Sequence, residues 1–179
     1  MKTVVLAVSG SIAAYKAVEI TSQLVKLKYN VHIVMTSAAT AFITPLTLEV
    51  ISKNTVTVDV MREDVPGKVN HIELAKQADV FLVAPATANT IAKLSGGIAD
   101  NALLSIALAV PQQTPKLIAS AMNTQMYLNP ITQENIKRLK TFGYQEIEPK
   151  ESMLACGDVG RGALADVSDI VATIRGILN

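Results

Sequence analysis

The 179 residues include one cysteine, so an intrachain disulfide is impossible and a metal cluster built on cysteines is not expected. Charge of one sign is lacking as well. Lysine and arginine number 16, aspartate and glutamate 15, and the net charge of +1 offers no electrostatic argument for nucleic acid or acidic lipid. Long hydrophobic runs are missing: Ala102 to Val110 is interrupted by Ser105 and stopped by Pro111, well short of a membrane span. No linker, repeat or low-complexity tract is present. No basic leader stands between Met1 and the first apolar run, which predicts a cytoplasmic protein. What is abundant is apolar character. Half the residues are hydrophobic, 17% are charged and the mean hydropathy is +0.35. That composition excludes a disordered chain. It predicts one domain, 1-179, with a full-sized core and some apolar surface covered by partner subunits.

Strands and helices alternate. Thr3–Val8 is a continuous β-branched apolar run, as in a strand covered on both faces. Ile12–Leu27 reads as a helix, Val31–Met35 as a strand, and Ala38–Ser52 as a helix in two pieces with Pro45 opening the second. Thr55–Val60 alternates like an edge strand. After a loop at Val65–Val69, Asn70 and Glu73 have the spacing of a capping box. Asp79–Ala84 is a buried strand, with a turn at Pro85 and a helix to Leu94. Ala99–Val110 reads as helix, Lys116–Ser120 as strand, Pro130–Thr141 as helix and Tyr144–Glu148 as strand. Pro149–Leu164 reads as a long loop, and Asp166–Leu178 as the closing helix. This order predicts a parallel sheet with helices on both faces.

In such sheets ligands lie beyond the carboxyl ends of the strands. The turn Ser9-Gly10-Ser11 offers hydroxyls and backbone N–H groups at a helix start, a phosphate site, although an ordinary capped turn has the same residues. The glycine after Gly10 is Gly67, so no dinucleotide fingerprint exists, and no Gly-Lys-Ser/Thr follows for a P-loop. A mononucleotide phosphate fits better. Pro85-Ala86-Thr87-Ala88-Asn89-Thr90 places small and polar groups after another strand, either beside a ligand or as a helix start capped by Thr87. His71 stands at a helix start, where the dipole favours the neutral imidazole that a general base needs. A surface histidine is the alternative there, and His32, inside a strand, reads as structural. Cys156 sits in a glycine-rich loop away from any apolar run. Asn123 is either a carboxylate-binding amide or a helix cap. The residues alone describe an α/β mononucleotide-binding protein, an enzyme.

Five segments in order carry a further reading: Gly10-Ser11-Ile12-Ala13-Ala14-Tyr15-Lys16, Asn70-His71-Ile72, Pro85-Ala86-Thr87-Ala88-Asn89-Thr90, Ala121-Met122-Asn123-Thr124-Gln125-Met126 and Ala155-Cys156-Gly157-Asp158. Together they resemble the homo-oligomeric flavin-containing cysteine decarboxylases, over nearly the whole chain. The resemblance implies a flavodoxin-like, Rossmann-like three-layer sandwich that binds FMN, with no metal. Gly10, Ser11 and Ile12 would hold the cofactor's phosphate end, and Ser37, Thr87, Ala88, Asn89, Thr90 and Met122 the rest. His71 and Cys156 would be catalytic, with Cys156 on a substrate-covering flap. Asn123, Ala155 and Ala163 would bind substrate. The implied assembly is a homotrimer or homododecamer with active sites between subunits.

The implied activity is decarboxylation of 4′-phosphopantothenoylcysteine to 4′-phosphopantetheine in coenzyme A synthesis. An N-acylated cysteine loses CO2 reluctantly, because the carbanion has nowhere to delocalise. Oxidation of its CH2–SH to a thioaldehyde supplies the sink, and re-reduction of the enethiol left by CO2 loss returns the saturated thiol. Two departures from the family pattern stand out. Ser120 replaces the usual proline before Ala-Met-Asn, and Gly160-Arg161-Gly162-Ala163-Leu164 replaces Gly-Pro-Gly-Arg-Met. Fused bacterial members carry a second, synthetase domain. This chain ends at Asn179, so a separate synthetase is expected. Alternative activities are a peptidyl-cysteine decarboxylase, which lacks the flap cysteine, a flavin prenyltransferase, and an FMN-binding regulatory subunit.

Overall fold

Every residue of β1 (Thr3–Val8) is buried, as its unbroken apolar run predicts. A computed structural model describes residues 1–61, 70–153, 157 and 159–179. β1 pairs in parallel with β2 (Asn30–Met35) on one side and β3 (Val80–Ala86) on the other. β4 (Lys116–Ser120) and β5 (Tyr144–Ile147) extend the sheet in the order β2-β1-β3-β4-β5. This is the flavodoxin-like order, with its topological switch between β1 and β3.

Side chains alternate across the sheet and build a core on each face. Val4, Leu6 and Val8 pack with Ile20 and Leu24 of α1 (Lys16–Lys26), Leu48 of α3 (Pro45–Ser52) and Ile170 and Ile174 of α9 (Val167–Leu178). Val5 and Ala7 face the other way. They join Leu74 of α4 (Asn70–Gln77), Ile91 of α5 (Ala88–Gly96), Leu103 of α6 (Ala102–Ala109) and Leu139 of α8 (Pro130–Thr141). Two short helices, α2 (Ser37–Thr40) and α7 (Thr124–Leu128), follow β2 and β4. No described helix is long and apolar enough to cross a membrane.

Several elements differ from the sequence reading, each for a physical reason. The helix expected over Ile12–Leu27 begins as a 3-10 turn at Ile12–Tyr15 and becomes α1 only at Lys16. Ile12 and Tyr15 are consequently exposed. Pro85 is the sixth residue of β3, which runs on to Ala86, so the turn starts at Thr87. Thr55–Val60 makes one parallel bridge, Val34 to Thr57, and no longer strand. Asp59 accepts the Met61 N–H at 2.9 Å, a local turn that follows the bridge. α6 starts at Ala102, because Asn101 caps it through the Leu104 N–H at 3.0 Å. Asn70 is itself helical and opens the described part of α4, with His71 next to it; the predicted loop before it lies outside the described residues.

The largest difference is the segment read as a loop. It contains the antiparallel hairpin of β6 (Lys150–Met153) and β7 (Val159–Ala163). Gly160 and Gly162 suggested a break, yet their lack of a side chain is what lets β7 approach the turn after β4. A Cβ on Gly160 would stand 2.5 Å from Thr124 Oγ1, and one on Gly162 2.3 Å from the Met122 carbonyl oxygen.

His32 is structural and half-buried in β2. Burial lowers its pKa from the ordinary 6.5. Asn30 Nδ2 donates to His32 Nε2 at 3.0 Å, which also requires the unprotonated nitrogen. The native state therefore resists a proton that the unfolded chain accepts below about pH 6.5. Stability is expected to be full above that pH and to fall as the pH drops towards the depressed native value. Urea midpoints across this range should show a shallower loss in His32→Gln than in the unaltered chain.

Candidate active site

The carboxyl ends of β1, β2, β3 and β4 each run into a helix start, and the local sequence supplies a cap at each. Ser11 Oγ accepts the Ala13 N–H at 3.2 Å, and Thr36 Oγ1 the Ala39 N–H at 3.2 Å. Thr87 Oγ1 accepts the Thr90 N–H at 3.3 Å, and Asn123 Oδ1 the Gln125 N–H at 2.8 Å. Capping and ligand binding are compatible readings here, since a capped helix start still presents N–H groups. The turns after β1 and β3 are tied across the switch point. Ser9 Oγ donates to the Pro85 carbonyl at 2.7 Å and accepts the Thr87 N–H at 3.1 Å.

Two cavities open on this edge. One, of about 440 Å3, gathers Gly10 and Ser11 from the first turn and Ser37 from the second. Thr87, Ala88, Asn89 and Thr90 line it from the third, and Met122 from the fourth. These are eight of the nine residues assigned to the cofactor. The ninth, Ile12, lines the neighbouring cavity of about 490 Å3 together with Asn123 and Ala163. Ser11, Ala121 and Met122 border both. Each volume lies within the range of roughly 300–1,000 Å3 usual for ligand pockets.

The first cavity suits FMN by its chemistry. Hydroxyls of Ser11, Thr36, Ser37 and Thr87 and the N–H groups of these helix starts that the caps leave over suit a phosphate and a polyol chain, while Ala121, Met122 and Met126 give an apolar wall for a flavin ring. The packing of its first turn is tight. A Cβ on Gly10 would stand 2.6 Å from Ala38 Cβ and 3.0 Å from the Ala38 carbonyl carbon. Gly10→Ala is expected to push α2 away from the first turn, to cost roughly 1–3 kcal/mol of stability and to lower flavin retention. Chemical unfolding and flavin content of the purified variant check both.

His71 is half-buried on α4, and neither cavity has it among its described lining residues. Ala155 and Cys156 lie outside the described residues. Among the described residues no group of three His, Cys, Asp or Glu gathers as a metal site.

Sequence reasoning missed the support behind the fourth turn. Glu146 has a side chain only 3% exposed. It accepts from Ser120 Oγ at 3.1 Å and Tyr127 OH at 3.0 Å, and pairs with Lys140 Nζ at 2.8 Å. Burial, then the Glu146 charge and hydrogen bond, push the Tyr127 hydroxyl up to about 12, so it stays a donor. Ser120 thus anchors the turn through its hydroxyl. The turn itself is held by the Ala121 N–H to the Ala86 carbonyl at 3.0 Å and the Met122 N–H to the Gly162 carbonyl at 2.9 Å. Arg161 lies outside both cavities. Its guanidinium pairs with Glu148 and lies 5.9 Å from the Tyr127 ring centroid, which fixes the root of the hairpin.

A family model described as flavoprotein matches residues 1–179. A "probable phosphopantothenoylcysteine decarboxylase" of Streptococcus mutans is 62% identical over 174 residues, covering 97% of this chain and 97% of that protein. The coenzyme A biosynthesis bifunctional protein CoaBC of Borreliella burgdorferi is 47% identical over 99% of this chain, which spans 45% of that longer protein. Among solved structures, a cysteine-to-serine mutant of a PPC decarboxylase complexed with pantothenoylaminoethenethiol superposes with a TM-score of 0.88 at 36% identity, covering 99% of this chain and 98% of that one. The FMN-dependent cysteine decarboxylase SpaF gives a TM-score of 0.86 at 30% identity, over 100% of this chain and 98% of that one. With the family model matched along its full length and a relative 62% identical across 97% of both proteins, the chain belongs to the flavoprotein family.

Proposed function

We propose that this flavoprotein binds FMN and decarboxylates 4′-phosphopantothenoylcysteine to 4′-phosphopantetheine in coenzyme A biosynthesis. The observation that carries the reading is the pair of adjoining cavities: one lined by the residues assigned to the flavin, the other by Asn123, with Ser11, Ala121 and Met122 between them. The names of the Streptococcus mutans relative and of the PPC decarboxylase structure support the substrate, and that of SpaF supports the cofactor.

Bound FMN supplies reversible hydride acceptance, so no external reductant is consumed. The chain's own residues do the rest. Ser11 and the first turn hold the phosphate end of the cofactor, and Thr87 to Thr90 and Met122 hold the remainder. Asn123 binds the substrate carboxylate. Its oxygen caps α7, so the amide meets the carboxylate as a neutral donor, without a fixed countercharge that would favour keeping it ionised. His71 takes or orients the substrate thiol proton. Cys156 returns a proton to the enethiol that CO2 loss leaves.

His71 has to reach this site from elsewhere, since neither cavity of one chain includes it among the described residues. A homotrimer, or a dodecamer built from trimers, meets that requirement, with a neighbouring copy supplying its His71. The exposed apolar side chains of Ile12, Tyr15, Phe42, Leu46, Val50 and Met126 support such an assembly. Purified protein is expected to be yellow and, on denaturation, to release FMN and no FAD, because one phosphate turn is present and the dinucleotide glycines are missing. A colourless protein that takes up no added FMN would overturn the reading.

A further inference from the structure

Two lysines from distant parts of the chain line the cavity that holds Asn123. Lys16 opens α1, and Lys150 opens β6. The other lining residues are apolar, hydroxyl-bearing, amide or glycine, so these two carry all the formal charge of its described wall. Nearby, Asp166 pairs with Lys150. The hydrogen bond from Lys150 first, and the Lys150 and Lys16 charges after it, hold the Asp166 carboxyl below the usual carboxylate range. Two ammonium groups on the cavity and one carboxylate paired with one of them leave one positive charge in excess among these three residues. An ammonium has three N–H donors, and Asp166 occupies one of those on Lys150.

We propose that Lys16 and Lys150 form a phosphomonoester subsite at one end of the substrate cavity, with Asp166 positioning Lys150. The proposal rests on the substrate reading above and assigns the residues that grip its 4′-phosphate. A phosphomonoester carries about −1.5 to −2 charges near pH 7 and three acceptor oxygens. Two compact point charges on flexible stems suit it, and the surplus positive charge gives it a preference over the neutral alcohol. Asn123 holds the carboxylate in the same cavity, so the two ends of the substrate are fixed by different residues. Lys150 reaches the cavity only because β6 exists, so the same hairpin that brings Ala163 to the site brings the charge.

The test compares 4′-phosphopantothenoylcysteine with pantothenoylcysteine on the FMN-loaded protein. Lys16→Met and Lys150→Met keep the apolar stem and remove the charge. Each should lower kcat/KM for the phosphorylated substrate by about tenfold or more, mainly through KM, and leave the unphosphorylated substrate little changed. Lys16→Arg and Lys150→Arg should keep most of the preference. Calorimetric binding of 4′-phosphopantetheine against pantetheine should lose the same discrimination without any turnover. Flavin content and melting temperature show that each variant is folded. Methionine variants that keep the wild-type preference would overturn the subsite, as would an equal loss on both substrates. A wild type that decarboxylates both equally well would also overturn it while leaving the functional reading intact. A wild type that decarboxylates neither would overturn that reading, and the subsite with it.

Discussion

His71→Asn is expected to retain FMN and to lose decarboxylation by about 10²–10⁴-fold, the usual share of a positioned acid–base group. Cofactor retention follows because His71 is not among the described residues around the cavity assigned to the flavin. An asparagine keeps a polar group of similar reach at this place on α4 but cannot take a proton at neutral pH. The same variant tests the assembly. Asn123→Asp should be inactive for a different reason, since a carboxylate in place of the amide repels the substrate carboxylate. If each site draws Asn123 from one copy and His71 from the next, subunits of the two inactive variants, dissociated and reassembled together, should recover part of the activity. Full turnover by His71→Asn would remove the histidine from the mechanism. Absence of recovery in mixed oligomers whose FMN content is normal would place both residues in one copy.

Cys156→Ser is expected to separate the two halves of the reaction. Oxidation and CO2 loss need a base and a carboxylate site, which His71 and Asn123 provide. Reduction of the enethiol needs a proton donor over the intermediate. A thiol serves, whereas a serine hydroxyl is far less acidic. The variant should release CO2 and then accumulate an enethiol two hydrogens lighter than the normal product, with saturated thiol formed roughly a hundredfold more slowly or worse. Mass spectrometry of the product and the flavin absorbance during turnover read both steps. Saturated thiol at the wild-type rate would make Cys156 a packing residue. No CO2 at all would assign it to substrate binding or closure.

Much of this architecture is legible in the residues because local rules govern it. β1 at Thr3–Val8, β4 at Lys116–Ser120 and α8 at Pro130–Thr141 begin and end where the apolar runs and breakers say they should. Gly10, Thr87 and Asn123 fall at the carboxyl edge because a parallel sheet puts every strand-to-helix turn on that side. What could not be read depends on contacts distant in sequence. Gly160 and Gly162 look like loop formers until Thr124 and Met122 are seen against them. Lys150 has no place at the site in a loop reading, and only β6 gives it one. Nothing local marks Glu146, and only the fold brings Ser120, Tyr127 and Lys140 to it. Lys16 did carry a signal, since it closes the first motif, but nothing local says that it shares a cavity with Lys150.

The most direct measurement is the mass of what the FMN-loaded protein makes from 4′-phosphopantothenoylcysteine, without oxygen and without added reductant. The account predicts one product, lighter than the substrate by CO2 alone, with the flavin oxidised at the end. Unchanged substrate, or a product lighter by CO2 and two further hydrogens with the flavin left reduced, would contradict it.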